Sequence, residues 1–279
     1  MLRIGCATFS FGDLTLEESA EVVKGLGFNL VDVGAGWSKY QQVHPAEAAE
    51  DPQGHADIIK KWMEKHGLAI SELFVMQFED SPNHPDPESR ARTQKRFEGL
   101  ATFCQKAGFE SIMMLPGGVN EGQTEEEAFD TSVAELQKMV AVAQEKGIQC
   151  NVEPNGGSVA GTPDDGARLC EAVPGLGLTL DYHHQLQLGF NVDQIEPMHK
   201  YAKHFHAKQS AQDEFEVKPD ADNGVIDFNR LMRKLKEDNY DGVVTIEFVA
   251  APDVIEAGWD MKEETGKMKQ VIEDALAAA

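Results

Sequence analysis

Short apolar runs alternate with longer amphipathic segments along the whole chain. Each run is followed by polar, glycine or proline residues, which is typical of parallel strands buried on both faces. The intervening segments place apolar residues at helical spacing, as in 228–238, where Phe228, Leu231 and Leu235 share one face. The pattern predicts strands at 2–10, 30–36, 69–77, 111–116, 148–155, 176–184, 202–209 and 242–249.

Helix start signals precede several of the amphipathic segments. Thr15 is followed three residues later by Glu18, the spacing of a capping box. Thr162 precedes Pro163, and proline is favoured at the first position of a helix. Asp227 is a favourable N-cap for the segment that follows it. Helices are therefore expected between the strands.

Eight strand–helix units in series predict an α/β fold, a single (β/α)8 TIM barrel. No linker rich in proline, glycine or serine interrupts them, so residues 1–279 are predicted to form one domain. The longest irregular stretches, 36–54, 78–87 and 210–224, each follow a predicted strand. Long loops at that end of a barrel shape a substrate pocket or an oligomer contact.

Four predicted strands in the second half of the chain end near a residue that can bind a metal ion. These residues are Glu153, Asp181, His206 and Glu247. Because barrel active sites lie at the C-terminal ends of the strands, we expect the four side chains to point into one pocket. Three carboxylates and one imidazole favour Mn²⁺, Mg²⁺ or Co²⁺ over a thiolate-bound structural zinc. We predict one divalent ion, with Mn²⁺ preferred and Mg²⁺, Co²⁺ or Zn²⁺ as alternatives.

Four motifs follow one another in this half of the chain: NVEPN at 151–155, LDYHH at 180–184, HFHAK at 204–208, and GVIDF with NYDGVVTIEF within 224–248. Their order and spacing resemble the xylose isomerase-like barrel superfamily, which includes sugar isomerases, ketose 3-epimerases, inosose dehydratases and endonuclease IV. The resemblance covers nearly the whole chain and is strongest over 148–249. It implies that the four strand-end residues are the metal ligands.

The resemblance also implies a chemistry. A metal ion bound there polarises a carbonyl and stabilises the enediolate that proton removal leaves. In ketose 3-epimerases two glutamates face opposite sides of the substrate carbon, one taking the proton and the other returning it. Glu153 and Glu247 are accordingly the predicted catalytic residues. His184, Lys208 and Trp37 are the predicted substrate contacts, Trp37 by stacking on a sugar face.

Some features of the family pattern differ here. Several ketose epimerases have an arginine soon after the seventh strand, but 210–224 contains Lys218 and no arginine, which leaves the substrate open. The second and third strands lack the histidines that endonuclease IV uses for extra zinc ions. His204 is expected to lie on the other side of its strand from His206, packed or exposed.

The leading hypothesis is a metal-dependent isomerase or epimerase of a sugar or keto-polyol. The substrate is expected to be unphosphorylated, because no glycine-rich phosphate loop follows the last strands. A keto-cyclitol or keto-sugar dehydratase begins with the same enolisation and is the alternative. An endonuclease IV-like nuclease and a non-catalytic sugar-binding barrel rank lower.

The net charge and the cysteine content limit the kinds of partner and the cellular location expected for this protein. The 279 residues include 48 acidic and 25 basic ones, for a formal net charge of −23. This field repels nucleic acid and anionic membranes, so a small-molecule partner is expected, with a homo-oligomer left open. The four cysteines form no CxxC pair and are expected to be reduced core residues. With no apolar leader or membrane-length run, a cytoplasmic location is predicted.

Overall fold

Eight parallel strands close into a barrel in chain order, and the last strand pairs with the first. The structure is a computed structural model and describes residues 2–12, 14–36, 42–76, 80–211, 214, 216–250 and 252–279. The strands are β1 (Arg3–Ala7), β2 (Leu30–Ala35), β3 (Ala69–Val75), β4 (Ser111–Met114), β5 (Gln149–Val152), β6 (Gly177–Asp181), β7 (Ala202–Ala207) and β8 (Val243–Ile246).

Helices surround the barrel and connect its strands. Two 3-10 helices, Thr8–Phe11 and Glu196–Tyr201, accompany the α-helices. None of the helices within the described residues is long and apolar enough to cross a membrane. The α-helices are α1 (Leu16–Gly25), α2 (Pro45–Glu50), α3 (Pro52–His66), α4 (Pro87–Ala107), α5 (Glu125–Glu145), α6 (Pro163–Ala172), α7 (Tyr182–Gln187), α8 (Val192–Ile195), α9 (Phe228–Glu237), α10 (Pro252–Glu256) and α11 (Met261–Ala278).

The predicted TIM barrel is confirmed, with strands shorter than the apolar runs that predicted them. The capping boxes of Thr15 and Thr162 both form, and the Asp227 side chain caps α9. One predicted loop, 36–54, is wrong in part, because α2 and the start of α3 occupy its second half.

The sixth strand ends earlier than predicted. Its last residue is Asp181, and α7 begins at Tyr182. The Asp181 Oδ1 atom accepts a hydrogen bond from the His183 N–H at 2.9 Å, which satisfies one of the free donors of the helix start. His184 therefore lies in the first turn of a helix and not on the strand.

The barrel interior is polar at its centre. His204 Nε2 lies 2.7 Å from Asp32 Oδ2 on β2 and 3.1 Å from Thr245 Oγ1 on β8. Because β2 and β7 are not neighbours, the contact with Asp32 crosses the interior. The expectation that His204 and His206 lie on opposite sides of the strand is therefore wrong. Residues two apart share a face, and Phe205 between them belongs to the main hydrophobic core.

A layer of buried polar side chains lies beneath the C-terminal mouth of the barrel. Its centre is Glu72, which accepts hydrogen bonds from Ser111 at 2.7 Å and Asn151 at 2.8 Å. Thr179 donates a third, at 2.7 Å. Side chains two residues apart on a strand point to the same face, so the residues two positions further toward the C-terminal ends of these strands form the next layer of the interior. That upper layer contains Phe74, Met113, Glu153, Asp181, His206 and Glu247.

Candidate metal and catalytic site

The four predicted ligand residues lie together at the C-terminal mouth of the barrel. Glu153 directly follows β5, Asp181 ends β6, His206 lies on β7, and Glu247 directly follows β8. None is more than 4% exposed. His206 Nδ1 lies 3.3 Å from Glu153 Oε1 and 3.7 Å from Glu247 Oε2. Three of the four residues are therefore within direct reach of one another.

Lys208 connects the fourth residue to the others. Its Nζ atom donates to Asp181 Oδ2 and to Glu247 Oε2, each at 2.5 Å, and the residue is 1% exposed. Burial opposes its charge, but Asp181 and Glu247 raise the pKa of Lys208 well above its ordinary value. The ammonium group therefore stays charged and holds two carboxylates of the site in place.

His184 contacts the other oxygen of Glu153. Its Nε2 atom lies 3.4 Å from Glu153 Oε2, and its side chain is 22% exposed at the mouth of the site. Burial opposes ionisation of Glu153, yet the charge and hydrogen bond of His184, together with His206, hold the pKa of Glu153 well below its usual range. Conversely, the Glu153 carboxylate raises the pKa of His184 against the effect of burial.

The residues present fit a divalent cation. Three carboxylates lie around one ammonium group in a buried setting, and once His184 and His206 give up their protons to act as ligands, a bound cation would offset the remaining negative charge. Glu153, Asp181 and His184 each offer a ligand atom within 4.8 Å of the others. The donors are oxygens and imidazole nitrogens, the set that Mn²⁺ and similar ions accept in proteins.

The opposite wall of the site is apolar. Ala7, Phe9, Phe74 and Met113 form a small buried cluster separate from the main core. The rings of Phe9 and Phe74 stack with centroids 5.0 Å apart, and Phe74 lies 5.2 Å from the His206 ring. Strands β1, β3 and β4, with the 3-10 helix after β1, thus supply an apolar wall, and β5 to β8 supply the charged one. Low polarity on one side strengthens the electrostatic interactions on the other.

Two cavities bear on where a ligand binds. A cleft of about 350 Å³ lies beside the site, lined by Met76, Leu115 and Asn155 among others. A larger one of about 580 Å³ lies at the opposite end of the barrel, lined by Ala202 and Gly242 at the starts of the last two strands. Since barrel active sites lie at the C-terminal ends of the strands, we assign the first cleft to the site.

Two of the predicted substrate contacts have different outcomes. Lys208 is brought into the site, whereas Trp37 lies outside the described residues. Lys218, the basic residue within 210–224, does not reach the site. Its Nζ atom lies 3.4 Å from Glu264 Oε1 and 5.7 Å from the centre of the Trp259 ring.

Asp32 is a buried residue at the site that the sequence analysis did not single out. Its carboxylate contacts His204 at 2.7 Å and approaches His206 at 3.4 Å. A signal was present, because an aspartate in the middle of an apolar strand is rarely buried without a partner.

Glu216, in the loop after β7, was missed as well. Its Oε1 atom accepts a hydrogen bond from Val249 N–H at 2.6 Å, and Oε2 is buried with no hydrogen-bond partner among the described residues. Burial raises the pKa of Glu216 to about 8, against the positive charge of Lys208 and the Val249 N–H. The negative charges of Glu247 and Asp181 add to the rise.

Glu216→Gln is expected to flatten the pH dependence of stability. In the unfolded chain this carboxyl group loses its proton near an ordinary pKa of about 4.3, whereas in the folded protein it keeps the proton until about pH 8. Between these values the folded state binds the extra proton, so the free energy of unfolding falls as pH rises, by up to about 1.4 kcal/mol per pH unit. Glutamine does not titrate and escapes this loss.

Urea unfolding of both proteins in a chelating buffer, between about pH 5.5 and about pH 7.5, measures the effect. The variant should gain stability relative to wild type as pH rises. The exposed Glu237→Gln serves as the control and should follow wild type. Parallel curves for Glu216→Gln and wild type would contradict the assignment.

Comparisons with known proteins bear on the fold and the family of the chain. A family model described as xylose isomerase-like TIM barrel matches residues 20–270. The chain is also 28% identical over 165 residues to the uncharacterized protein MJ1311 of Methanocaldococcus jannaschii, a match that covers 55% of this chain. The match covers 56% of that relative, so the chain spans about half of its length.

Solved structures share the whole fold at low identity. A structure of IolI protein with a binding zinc atom aligns with TM-score 0.78 at 18% identity, covering 99% of this chain and 98% of that one. D-psicose 3-epimerase from Clostridium cellulolyticum H10 with D-tagatose gives 0.77 at 16%, covering 98% and 99%. The probable 3-DHS dehydratase AsbF from Bacillus anthracis gives 0.70 at 13%, covering 97% and 98%. These likenesses establish the fold.

The family model covers most of the chain, and the barrel is closed by the eight strands that such a fold requires. The chain belongs to the xylose isomerase-like TIM barrel family.

Proposed function

We propose that this protein is a divalent-metal-dependent isomerase or epimerase of an unphosphorylated ketose or keto-polyol. The observation that carries the proposal is the convergence of Glu153, Glu247 and His206 Nδ1 within 3.3 to 3.7 Å, with Lys208 joining Asp181 to the same group. The two glutamates come from strands on opposite sides of β7 in the barrel order, so they approach a bound substrate from different directions.

Glu153, Asp181, His206 and Glu247 would hold the metal ion, for which Mn²⁺ is the proposed identity. When bound, the ion supplies Lewis-acid polarisation of a substrate carbonyl. The IolI structure, which shares this fold, has a bound zinc atom, and this supports a metal ion in the present chain but leaves the identity of the ion open. We propose that the protein acts in the cytoplasm, where its free, buried cysteines remain reduced.

The two glutamates would move the proton. One carboxylate removes it from the carbon next to the carbonyl, and the other returns it to the opposite face. His184 and His206 keep Glu153 ionised and ready to accept a proton. Lys208 holds Glu247 at 2.5 Å and limits its movement, which positions the second base.

The remaining surfaces suit a small polyol. His184, part-exposed at the mouth, and Lys208 would donate hydrogen bonds to substrate oxygens, and the Phe9–Phe74 wall would contact its C–H face. The adjacent cleft of about 350 Å³ is within the range of small-molecule sites. The contact proposed for Trp37 remains a prediction.

A dehydratase of a keto-cyclitol or keto-sugar is the second candidate. It starts with the same proton removal but then expels a hydroxyl group, which needs an acid. Glu216 favours it, because this buried carboxyl group near Lys208 keeps its proton at neutral pH. The fold shared with the dehydratase AsbF is consistent with either reaction.

Incubation of the Mn²⁺-loaded protein with ketoses and keto-cyclitols in deuterated water tests both candidates. We expect at least one compound to incorporate deuterium at the carbon next to its carbonyl, which proton NMR detects. The product should be an epimer or isomer whose mass differs from that of the substrate only by the label. A product that has lost water would support the dehydratase instead. No exchange with any compound at saturating metal would contradict both and favour a binding barrel.

A further inference from the structure

Asp32 contacts the candidate metal ligand His206 from beneath. Its Oδ2 atom lies 3.4 Å from His206 Nε2 and 2.7 Å from His204 Nε2. Its Oδ1 atom accepts hydrogen bonds from the Ser71 hydroxyl and, at 3.1 Å, from the Glu72 N–H. The side chain has no exposed surface. The carboxylate is therefore held at both oxygens and cannot turn freely.

The two nitrogens of His206 face different surroundings. Nδ1 points to the site, 3.3 Å from Glu153 Oε1 and 3.7 Å from Glu247 Oε2. Nε2 is buried, lies 3.4 Å from Asp32 Oδ2 and makes no hydrogen bond among the described residues. A histidine with one nitrogen at a metal and the other N–H at a carboxylate is the usual arrangement of metal-binding imidazoles.

We propose that Asp32 is a positioning residue that keeps the proton of His206 on Nε2, so that Nδ1 presents its lone pair to the metal ion. The inference rests on the proposed function, because it requires an ion held by Glu153, Asp181, His206 and Glu247. Asp32 touches neither substrate nor metal and acts through the orientation and tautomer of the ligand.

The chemistry explains why a carboxylate is needed at this position. Oδ2 faces the Nε2 atoms of both His204 and His206, and Oδ1 faces the backbone N–H of Glu72. An asparagine has only one side-chain oxygen. The Glu72 N–H is fixed in the backbone, so that oxygen accepts its hydrogen bond. The amide NH₂ then points at the two imidazoles and forces Nε2 of His206 to accept. The ring proton then lies on Nδ1, and Nδ1 no longer has a lone pair with which to bind the metal ion.

Asp32→Asn should therefore lower the affinity for Mn²⁺ by about 10- to 100-fold in calorimetric titration, the range for lost partners of metal ligands. Ser71→Ala is the matched control, since it removes a donor to Oδ1 but leaves the carboxylate, and its affinity should stay near that of wild type. A second readout is the ¹⁵N NMR spectrum of the histidine rings, with His206 identified by its absence in His206→Gln. Metal-free wild type should carry a proton on Nε2 of His206, and metal-free Asp32→Asn should lack it.

The wild-type spectrum tests the idea even if Asp32→Asn does not fold. In the Zn²⁺-loaded wild type, chosen because Zn²⁺ is diamagnetic, His206 must carry its proton on Nε2. A proton on Nδ1 with Nε2 bound to metal would overturn the proposal.

The titrations separate this inference from the proposed function. Wild-type affinity in Asp32→Asn, alongside lost binding in His206→Ala, would refute the positioning role and leave the metal site standing. No binding by wild type would refute the proposed function and the inference with it. Two ions per wild-type chain, one of them lost in Asp32→Asn, would overturn the positioning role and make Asp32 a direct ligand of an inner ion. Four buried side chains there each offer a ligand atom within 4.8 Å of the others: Asp32, Glu72, His204 and His206.

Discussion

Glu153→Gln and Glu247→Gln are each expected to slow proton exchange with one epimer of the substrate by about 10²- to 10⁴-fold, the usual contribution of a positioned base. In a two-base reaction each glutamate serves one face of the carbon. Each variant should therefore fail with one epimer and still exchange the proton of the other, while interconversion of the two is lost. Glutamine keeps the shape of the side chain but removes its basicity and its negative charge.

The measurement is deuterium incorporation into each epimer separately, at Mn²⁺ concentrations that saturate the variant, so that weaker metal binding does not limit the rate. Glu237→Gln, on the exposed end of α9, is the control and should match wild type. If both variants lost exchange with the same epimer only, a single base would act and the reaction would be an isomerisation or an elimination. Full activity in either variant would remove that residue from the mechanism.

His206→Ala is expected to abolish stoichiometric metal binding while the barrel remains folded. The side chain supplies the nitrogen donor of the proposed set, and its removal leaves three carboxylates, two of which contact Lys208. We expect one Mn²⁺ per wild-type chain by elemental analysis after dialysis and a small fraction of that in the variant. Ligand residues at the mouth of a barrel contribute little to its core, so circular dichroism should be unchanged.

His55→Ala, on helix α3 outside the barrel, controls for the loss of any histidine and should keep one ion per chain. Unchanged metal content in His206→Ala would show that the ion lies elsewhere. Loss of metal together with the helical signal would instead indicate that His206 supports the fold, and Glu153→Ala would then have to carry the test of the site.

The positions of the site residues along their strands were predictable from sequence. A strand side chain repeats its direction every two residues, and a barrel active site lies where the strands end. Glu153 and Glu247 follow their strands directly, and both lie at the mouth of the barrel. Local signals were equally informative at helix starts, because a capping box such as Thr15 with Glu18 depends only on residues three apart.

The end of β6 shows where local pattern becomes insufficient. The strand predicted from the apolar residues 176–180 was extended through LDYHH to His184. In the structure Asp181 both ends the strand and caps α7, which turns His184 back toward Glu153. A residue that can either continue a strand or cap a helix is assigned by the packing around it, and that packing involves β5 and β7.

The register between β6 and β7 was decided by tertiary structure. Leu178 pairs with Ala202, but Thr179 pairs with His204, so β7 contains one extra residue at this point. Because of that shift Asp181 lies beside His206; without it Asp181 would lie beside Phe205, whose side chain faces the core. A slip of one residue reverses which side chains face the interior. No sequence pattern in either strand marks the bulge.

The sequence by itself determined the alternation of strands and helices, the barrel they form and the strand ends that carry carboxylates and imidazole, because each depends on periodicity or on neighbours a few residues apart. Only the tertiary structure decided that Asp32 meets His206, that Lys208 joins Asp181 to Glu247, and that Glu216 lies buried near them. Asp32 and His206 are separated by most of the chain, and closure of the barrel, the register of its strands and the path of one loop bring these groups together.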